Sequence, residues 1–331
     1  MIYMPPAAGL ILGAGGAWFM LLWGDRLGFT DLPNERSSHV KPTPKSGGVG
    51  IFIAFLACAL VLPLPAWFWV PVAGVALLSL YDDYSGLTYR FRLFGQFAAA
   101  LVLLLSNYEW FGPTVVRSLL ILPAAVYIVG TANFYNFMDG IDGMAGITGF
   151  IAFGLLALMG QVAGAVPNHA MLAMALSAAC LGFLPFNLYK ARRVFMGDVG
   201  SILLGFTFAF FTLSLARSLT DFICLAAFLF PFYGDELTTM AIRLKDGERL
   251  TQPHRRHLYQ ILANEIGLDH WKVSLGYGIL QIACGLSVMA VRSDGWLAAF
   301  LTLLLFSAGF IAATLYVRLV VRRRFHREAN L

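Results

Sequence analysis

Charge is what this chain has least of. Asp, Glu, Lys and Arg make up 12% of its 331 residues, about half the roughly 25% of an ordinary soluble domain. Hydrophobic residues reach 59%. A large soluble core could absorb part of that apolar surface, but not a series of apolar runs each long enough to cross a bilayer. Cysteine is scarce too. The four present, Cys58, Cys180, Cys224 and Cys284, all fall inside apolar runs, which predicts buried thiols and excludes a disulfide framework or a cysteine-based metal site. There is no strong tandem repeat, no low-complexity linker and no second soluble domain. The first apolar run lacks a basic leader and is followed by Arg26, the pattern of a retained helix and not a cleaved signal.

What is present is a ladder of apolar segments. Eleven candidate spans are read at about 5–23, 47–63, 67–81, 93–106, 114–132, 145–164, 169–186, 200–216, 219–233, 273–291 and 296–317, against the ~20 residues a bilayer core requires, several of them shorter. The predicted fold is an all-α, polytopic integral membrane protein, a single transmembrane catalytic domain over 1–331. All but Arg117, Arg217 and Arg292 of the 23 Lys and Arg lie in alternate loops and the C-terminal tail. By the positive-inside rule those loops are cytoplasmic and the N-terminus is outside. The net charge of +5 suits an anionic membrane face and calls for no nucleic acid. Acidic residues follow the basic ones, so chemistry is expected on the cytoplasmic face, in loops 24–46, 82–92, 133–144, 187–199 and 234–272.

Five polar clusters occupy those loops. In "SSHVKPTPKSGG" (37–48), the prolines extend the backbone, Gly47 and Gly48 permit a turn or close ligand approach, and His39, Lys41 and Lys45 offer positive charge to an anion. In "YDDYSG", the neighbouring carboxylates Asp82 and Asp83 repel unless they share a proton or a cation, which is also what a Mg2+ or proton-transfer site needs. In "NFYNFMDGIDG" (133–143), Asn133, Asn136, Asp139 and Asp142 recur every three residues, which on a helix gathers them on one broad side. Helix capping alone would use one such residue, not four. Asp198, in "KARRVFMGDVGS" (190–201), reads either as a helix cap or as a carboxylate beside a phosphate-attracting helix N-terminus, bridged to it by a divalent ion. "DGERLTQPHRRHLYQ" concentrates His254, Arg255, Arg256 and His257, donors for phosphate oxygens, without the spacing of a zinc site. Hard carboxylates beside many phosphate donors compose a metal-dependent phosphoryl-transfer site. Its place at an interface implies one soluble phosphorylated substrate and one lipid.

These motifs, "PTPKSGG", "YDD", "NFYNFMDGIDGMAG", "VFMGDVGS" and "PHRRHLYQ", in this order from about 36 to 260, resemble the polyprenyl-phosphate N-acetylhexosamine-1-phosphate transferases. The resemblance implies transfer of a sugar-1-phosphate from a UDP-N-acetylamino sugar to undecaprenyl phosphate, releasing UMP, with Mg2+ required and Mn2+ as an alternative ion. It implies Asp198 as the metal ligand and Asp82 as the aspartate that activates the lipid phosphate, with Asp83 beside it. It implies Lys41, Asn187, Asp139, Gly140, Ile141, Asp142 and Phe195 around the uridine, and His254, Arg256 and His257 on the pyrophosphate, with Asn133 and Asn136 completing the substrate-binding set. It further implies a bacterial inner membrane location and a homodimer. "PTPKSGG" and "HRRH" depart from the "PTMGG" and triple histidine of the phospho-MurNAc-pentapeptide translocases, so the pattern is closer to the branch that starts O-antigen or capsule chains. In place of the middle histidine, Arg256 is the expected cation. Whether the lipid attacks directly or through an aspartyl-phosphate stays open.

Two other classes compete. A secondary transporter for an anionic or nucleotide-sugar substrate would place charges near the bilayer midplane on broken helices, and this chain keeps almost none inside its spans. A CDP-alcohol phosphatidyltransferase would concentrate its aspartates in one helix pair.

Overall fold

Inside a bilayer a backbone has no water to bond, so each apolar run satisfies its amides internally by coiling into a helix. The computed structural model describes residues 4–33, 41–106, 114–162, 167–189, 193–250, 252 and 254–328. His39, and Lys190 and Arg192 of the "KARRVFMGDVGS" motif, lie outside the described residues. The helices are α1 Met4–Trp23, α2 Val49–Val61, α3 Ala66–Ser85, α4 Tyr89–Ser106, α5 Thr114–Met138, α6 Met144–Val162 and α7 Pro167–Leu188. They continue with α8 Asp198–Leu215, α9 Leu219–Ala227, α10 Phe230–Lys245, the short α11 Leu258–Gln260, α12 His270–Ala290 and α13 Trp296–Glu328. A two-residue antiparallel pair, β1 Thr30–Asp31 with β2 Thr43–Pro44, lies between α1 and α2. The architecture is all-α and membrane-spanning, as the composition predicts.

The expected eleven crossings are not all matched by span-length helices. Among the described residues, seven helices are long and apolar enough to cross a membrane: those at α1, α4, α5, α7, α8, α12 and α13. Val49–Val61 and Met144–Gly160 are apolar but shorter. The ninth expected span, 219–233, divides in two. α9 ends at Ala227, and Pro231, which has no amide to donate, falls in the opening turn of α10. α10 then runs on to Lys245, so the first third of the expected loop 234–272 is helix. α13 is also longer than expected, because its basic residues continue the helix as far as Glu328.

Helix α8 is the axis of the bundle. Fifteen of its residues are buried, from Val199 to Leu215, and helices α2, α3, α5, α6 and α9 pack around it. At one end Phe68 stacks on Phe210 and Phe211, with ring centroids 5.0 and 5.8 Å apart. The other end opens at Asp198, where the C-terminal ends of α3 and α5 also arrive. All four cysteines are buried and free, as expected.

Candidate active site

The first residue of α8 fixes the site. Gly197, at φ 76°, turns the chain into the helix, in the left-handed region that glycine enters without cost. A Cβ there would lie 2.6 Å from Asp83 Oδ2. That closeness lets Asp83 accept the opening amides of α8, from Asp198 N–H at 3.2 Å and Val199 N–H at 3.4 Å. Ser46 Oγ donates to the same carboxylate at 2.8 Å, and Lys45 Nζ stands 4.0 Å away. Asp83 is therefore a helix cap supplied from another helix. Burial, then the charge of Asp198, pushes its pKa up to about 7 against the Ser46 and amide bonds.

The loop before α2 reaches this point differently from the sequence expectation. Its left-handed residue is Ser46, at φ 65°, not one of the two glycines. Gly48 is required for contact instead: a Cβ on it would come within 2.5 Å of Gly200 Cα. Gly47 and Gly48 donate their amides to the carbonyls of Phe195 and Met196 at 2.8 Å each, pinning this loop to the one that carries Asp198.

Asp82 is oriented to the other side. It accepts the Leu87 amide at 2.6 Å and meets Arg92, whose guanidinium lies 2.8 Å from Asp82 Oδ2 and 2.8 Å from Asp198 Oδ2. Arg92, at the start of α4, thus bridges both carboxylates. Burial raises the pKa of Asp82 most, Arg92 opposes it and Asp198 adds to it. Asn136 Nδ2 donates to Asp198 Oδ1 at 2.8 Å and to Ser201 Oγ at 2.9 Å. Asp139, half-buried one residue past α5, is held well above the usual carboxylate range by burial and by the charges of Asp198, Asp83 and Asp142. Five expected residues, Asp82, Asp83, Asn136, Asp139 and Asp198, thus converge at one helix end.

Asn133 does not join them. Its amide is spent on Gln96 Oε1 and the Val129 carbonyl, both at 2.7 Å, tying α5 to α4. Asn187 is buried between backbones, accepting the Gly143 amide at 2.6 Å and donating to the Val194 carbonyl at 3.0 Å. It shapes the loops without presenting a polar atom of its own.

Beside the cluster lies a cavity of about 640 Å³ lined by Lys41, Asp142, Arg193 and His270 together with Asp25 and Asp269. Asp142 is buried. It pairs with Arg193, and its Oδ2 lies 3.1 Å from His270 Nδ1, while the Arg193 guanidinium sits 5.5 Å over the Phe195 ring. Ile141 is buried next to it. Arg193 and His270 were not singled out from the sequence.

The histidine segment is anchored by an acidic pair that the sequence reading missed, Asp235 and Glu236 in α10. Asp235 is fully buried and receives the Leu258 amide at 2.9 Å, the Tyr259 amide at 3.2 Å and the Tyr277 hydroxyl at 2.7 Å. His257 lies with Nδ1 3.4 Å from Asp235 and Nε2 3.5 Å from Glu236. Both ring nitrogens of this buried side chain face carboxylates, so it braces the segment and does not reach toward the cavity. Burial alone would lower its pKa, but Asp235 and Glu236 raise it overall. His254 is half-buried and pushed down to about 4 by burial and by the charges of His257 and Arg243. Arg256 turns away and pairs with Asp246 and Glu248, so the expectation that it stands in for a middle histidine is not met by its position. Tyr259 links this region to the cluster. Its hydroxyl donates to the Phe137 carbonyl at 3.0 Å, and a Cβ on Gly140 would meet it at 2.1 Å.

Mg2+ can be tested against these donors. Among the described residues, no three His, Cys, Asp or Glu side chains are grouped to enclose an ion. Mg2+ rarely asks for that, since one or two carboxylates plus substrate phosphates and water suffice. Asp198 and Asp82 supply such carboxylates, and the cation already placed between them shows that this spot attracts positive charge. The donor set fits.

The family model described as glycosyl transferase family 4 matches residues 66–216, the stretch from α3 through α8. The chain is similar to decaprenyl-phosphate N-acetylglucosaminephosphotransferase of Mycobacterium tuberculosis (strain CDC 1551 / Oshkosh), 31% identical over 294 residues, covering 76% of this chain and 72% of that one. It is similar to undecaprenyl-phosphate alpha-N-acetylglucosaminyl 1-phosphate transferase of Thermotoga maritima, 31% identical over 255 residues, with 75% and 76% covered. It also matches phospho-N-acetylmuramoyl-pentapeptide-transferase of Shouchella clausii, 26% identical over 289 residues, with 78% and 86% covered. These relatives are transferases of sugar phosphates, and among the described residues this chain carries seven helices long and apolar enough to cross a membrane. The chain belongs to glycosyl transferase family 4, the polyprenyl-phosphate N-acetylhexosamine-1-phosphate transferases.

Proposed function

We propose that this protein transfers an N-acetylamino-sugar-1-phosphate from a UDP-sugar to undecaprenyl phosphate, giving the lipid-linked pyrophosphoryl sugar and UMP. In this reading it works in a bacterial inner membrane with its site on the cytoplasmic face, and it starts an O-antigen or related surface polysaccharide. The observation that carries the reaction is the meeting of Asp82, Asp83, Asn136 and Asp198 at the N-terminus of α8.

The N-terminal end of α8 carries partial positive charge, which the Asp83 carboxylate already meets, so phosphate oxygens are drawn here by cations held on Asp82 and Asp198. Asp83, already spent on the helix amides, holds that end rigid. Mg2+, when bound through Asp198 and Asp82, would neutralise charge on the transferring phosphate. The lipid phosphate is an anion before it arrives, so proton removal is a modest need and charge neutralisation the larger one. In the neighbouring cavity, Lys41, Arg193 and His270 offer donors to the nucleotide, and Asp142 holds Arg193 and His270 in place. The phosphorus bonded to the sugar is attacked by a lipid phosphate oxygen, directly or after a carboxylate has taken it, and UMP departs with the electron pair.

Purified protein in detergent, given undecaprenyl phosphate, Mg2+ and a panel of UDP-N-acetylamino sugars, tests this. UMP is expected with at least one sugar, in step with lipid product, and the preferred sugar decides the branch. Labelled UDP-sugar accumulating in proteoliposomes without UMP would favour the transporter instead.

A further inference from the structure

A cation already spans the two carboxylates that a divalent ion would use. Arg92 lies 2.8 Å from Asp82 Oδ2 through one guanidinium nitrogen and 2.8 Å from Asp198 Oδ2 through the other. The fork geometry of Arg suits two separate carboxylates, which a lysine ammonium could not span in the same way. Its side chain is 25% exposed, and so is comparable to the Asp198 side chain at 24%, whereas Asp82 is 7% exposed. The bridge therefore sits at the wet rim of the cluster, where a guanidinium can leave without being stranded in apolar surroundings.

Its other neighbours make the arrangement one-sided. Asp198 Oδ1 is taken by the Asn136 amide at 2.8 Å. Asp83 is turned inward to the α8 amides and Ser46. The oxygens facing the rim are Asp198 Oδ2 and Asp82 Oδ2, the two that Arg92 holds.

We infer that Arg92 is an exchangeable counter-ion, which neutralises Asp82 and Asp198 before the divalent ion binds and competes with it for Asp198. The inference rests on the reading of Asp198 as the metal ligand given above. Two consequences follow. The protein holds its acidic cluster together without metal, and its affinity for the ion is weaker than the carboxylates alone would give, which leaves the metal free to arrive and depart with nucleotide phosphates. Arg92 is thus a positioning residue for the two aspartates.

The test is a Mn2+ titration of metal-stripped protein in detergent, with free Mn2+ followed by electron paramagnetic resonance and no substrate present. Arg92→Gln is expected to bind Mn2+ about tenfold more tightly than wild type, because a positive charge in contact with the ligand has been removed. Arg92→Lys keeps the charge but loses the fork, and is expected to tighten binding about threefold. It also serves if the Gln variant fails to fold. Asp198→Asn is expected to lose binding. A merely structural arginine would leave affinity unchanged or weaken it on removal. That result in folded variants, with Asp198→Asn still losing Mn2+, overturns the counter-ion role alone. Wild-type Mn2+ binding by Asp198→Asn overturns the metal reading beneath it, and the inference with it.

Discussion

The pair Asp82–Asp83 and the pair Asp235–Glu236 are built alike. In each, one carboxylate accepts the first amides of a helix from elsewhere in the chain: Asp83 those of α8, Asp235 those of α11. What distinguishes them is the company of the second carboxylate. Asp82 faces a guanidinium at the wet rim of the cluster. Glu236 is buried 3.5 Å from an equally buried imidazole, and burial pushes its pKa up to about 7. A carboxylate spent on the opening amides of a helix is a structural part, and its neighbour keeps an oxygen that needs a positive partner. Where that partner is reachable from solvent it can be replaced by a ligand cation, and the pair becomes chemical. Where it is sealed inside, the pair only braces the fold.

The largest expected effect breaks the chemical side of that contrast. Asp198→Asn is expected to lower turnover about 10^3-fold while its thermal unfolding in detergent stays close to wild type. Next, Asp235→Ala strands two buried amides and a buried tyrosine hydroxyl, and is expected to cost about 3–5 kcal/mol in unfolding measurements. Asp82→Ala, by contrast, is expected to cost less, about 1–2 kcal/mol, since it strands only the Leu87 amide and Arg92 keeps Asp198. Equal losses from the two would dissolve the distinction.

A smaller effect concerns pH. Asp83 titrates at about 7 when folded, against an ordinary value of 3.8. Between those values the folded protein holds a proton that the unfolded chain has released. Stability from this group is therefore full below about pH 4 and is lost as pH rises to 7. Compared with Asp83→Asn, the metal-free wild type is expected to lose about 2–3 kcal/mol between pH 5 and 8, read from unfolding at each pH. A gap between the two that does not change with pH would contradict the cap's burial. Smallest of all, Arg256→Gln is expected to change kcat/KM less than about threefold, because its guanidinium is engaged with Asp246 and Glu248. A loss near a hundredfold would return it to the pyrophosphate.

The motif residues were legible because each stands in a short polar run against an apolar background. Asp82, Asp83, Asn136, Asp139 and Asp198 do meet, as their types and their side of the bundle implied. Arg92 and His270 were missed because each belongs to no unusual polar cluster, and only packing shows that one faces Asp198 and the other Asp142. Asp235 and Glu236 had a signal that went unread: an acidic pair straight after an apolar run, the same pattern as Asp82–Asp83. The ninth span hid its break because Pro231 sits in an otherwise continuous hydrophobic stretch, and proline in an opening turn looks no different in sequence from proline inside a helix. The period of three grouped Asn133 with the cluster residues, but its amide bonds to Gln96 and the Val129 carbonyl instead. Gln96 lies one helix away, a neighbour that periodicity alone does not reveal.

The most direct test of the account is UMP release by wild type and Asp198→Asn, each with and without undecaprenyl phosphate, at saturating UDP-sugar and Mg2+. The account predicts multiple-turnover UMP from the wild type only when the lipid is present, in step with the lipid product, and almost none from the variant. UMP beyond one per protein formed without lipid, or undiminished in Asp198→Asn, would contradict it.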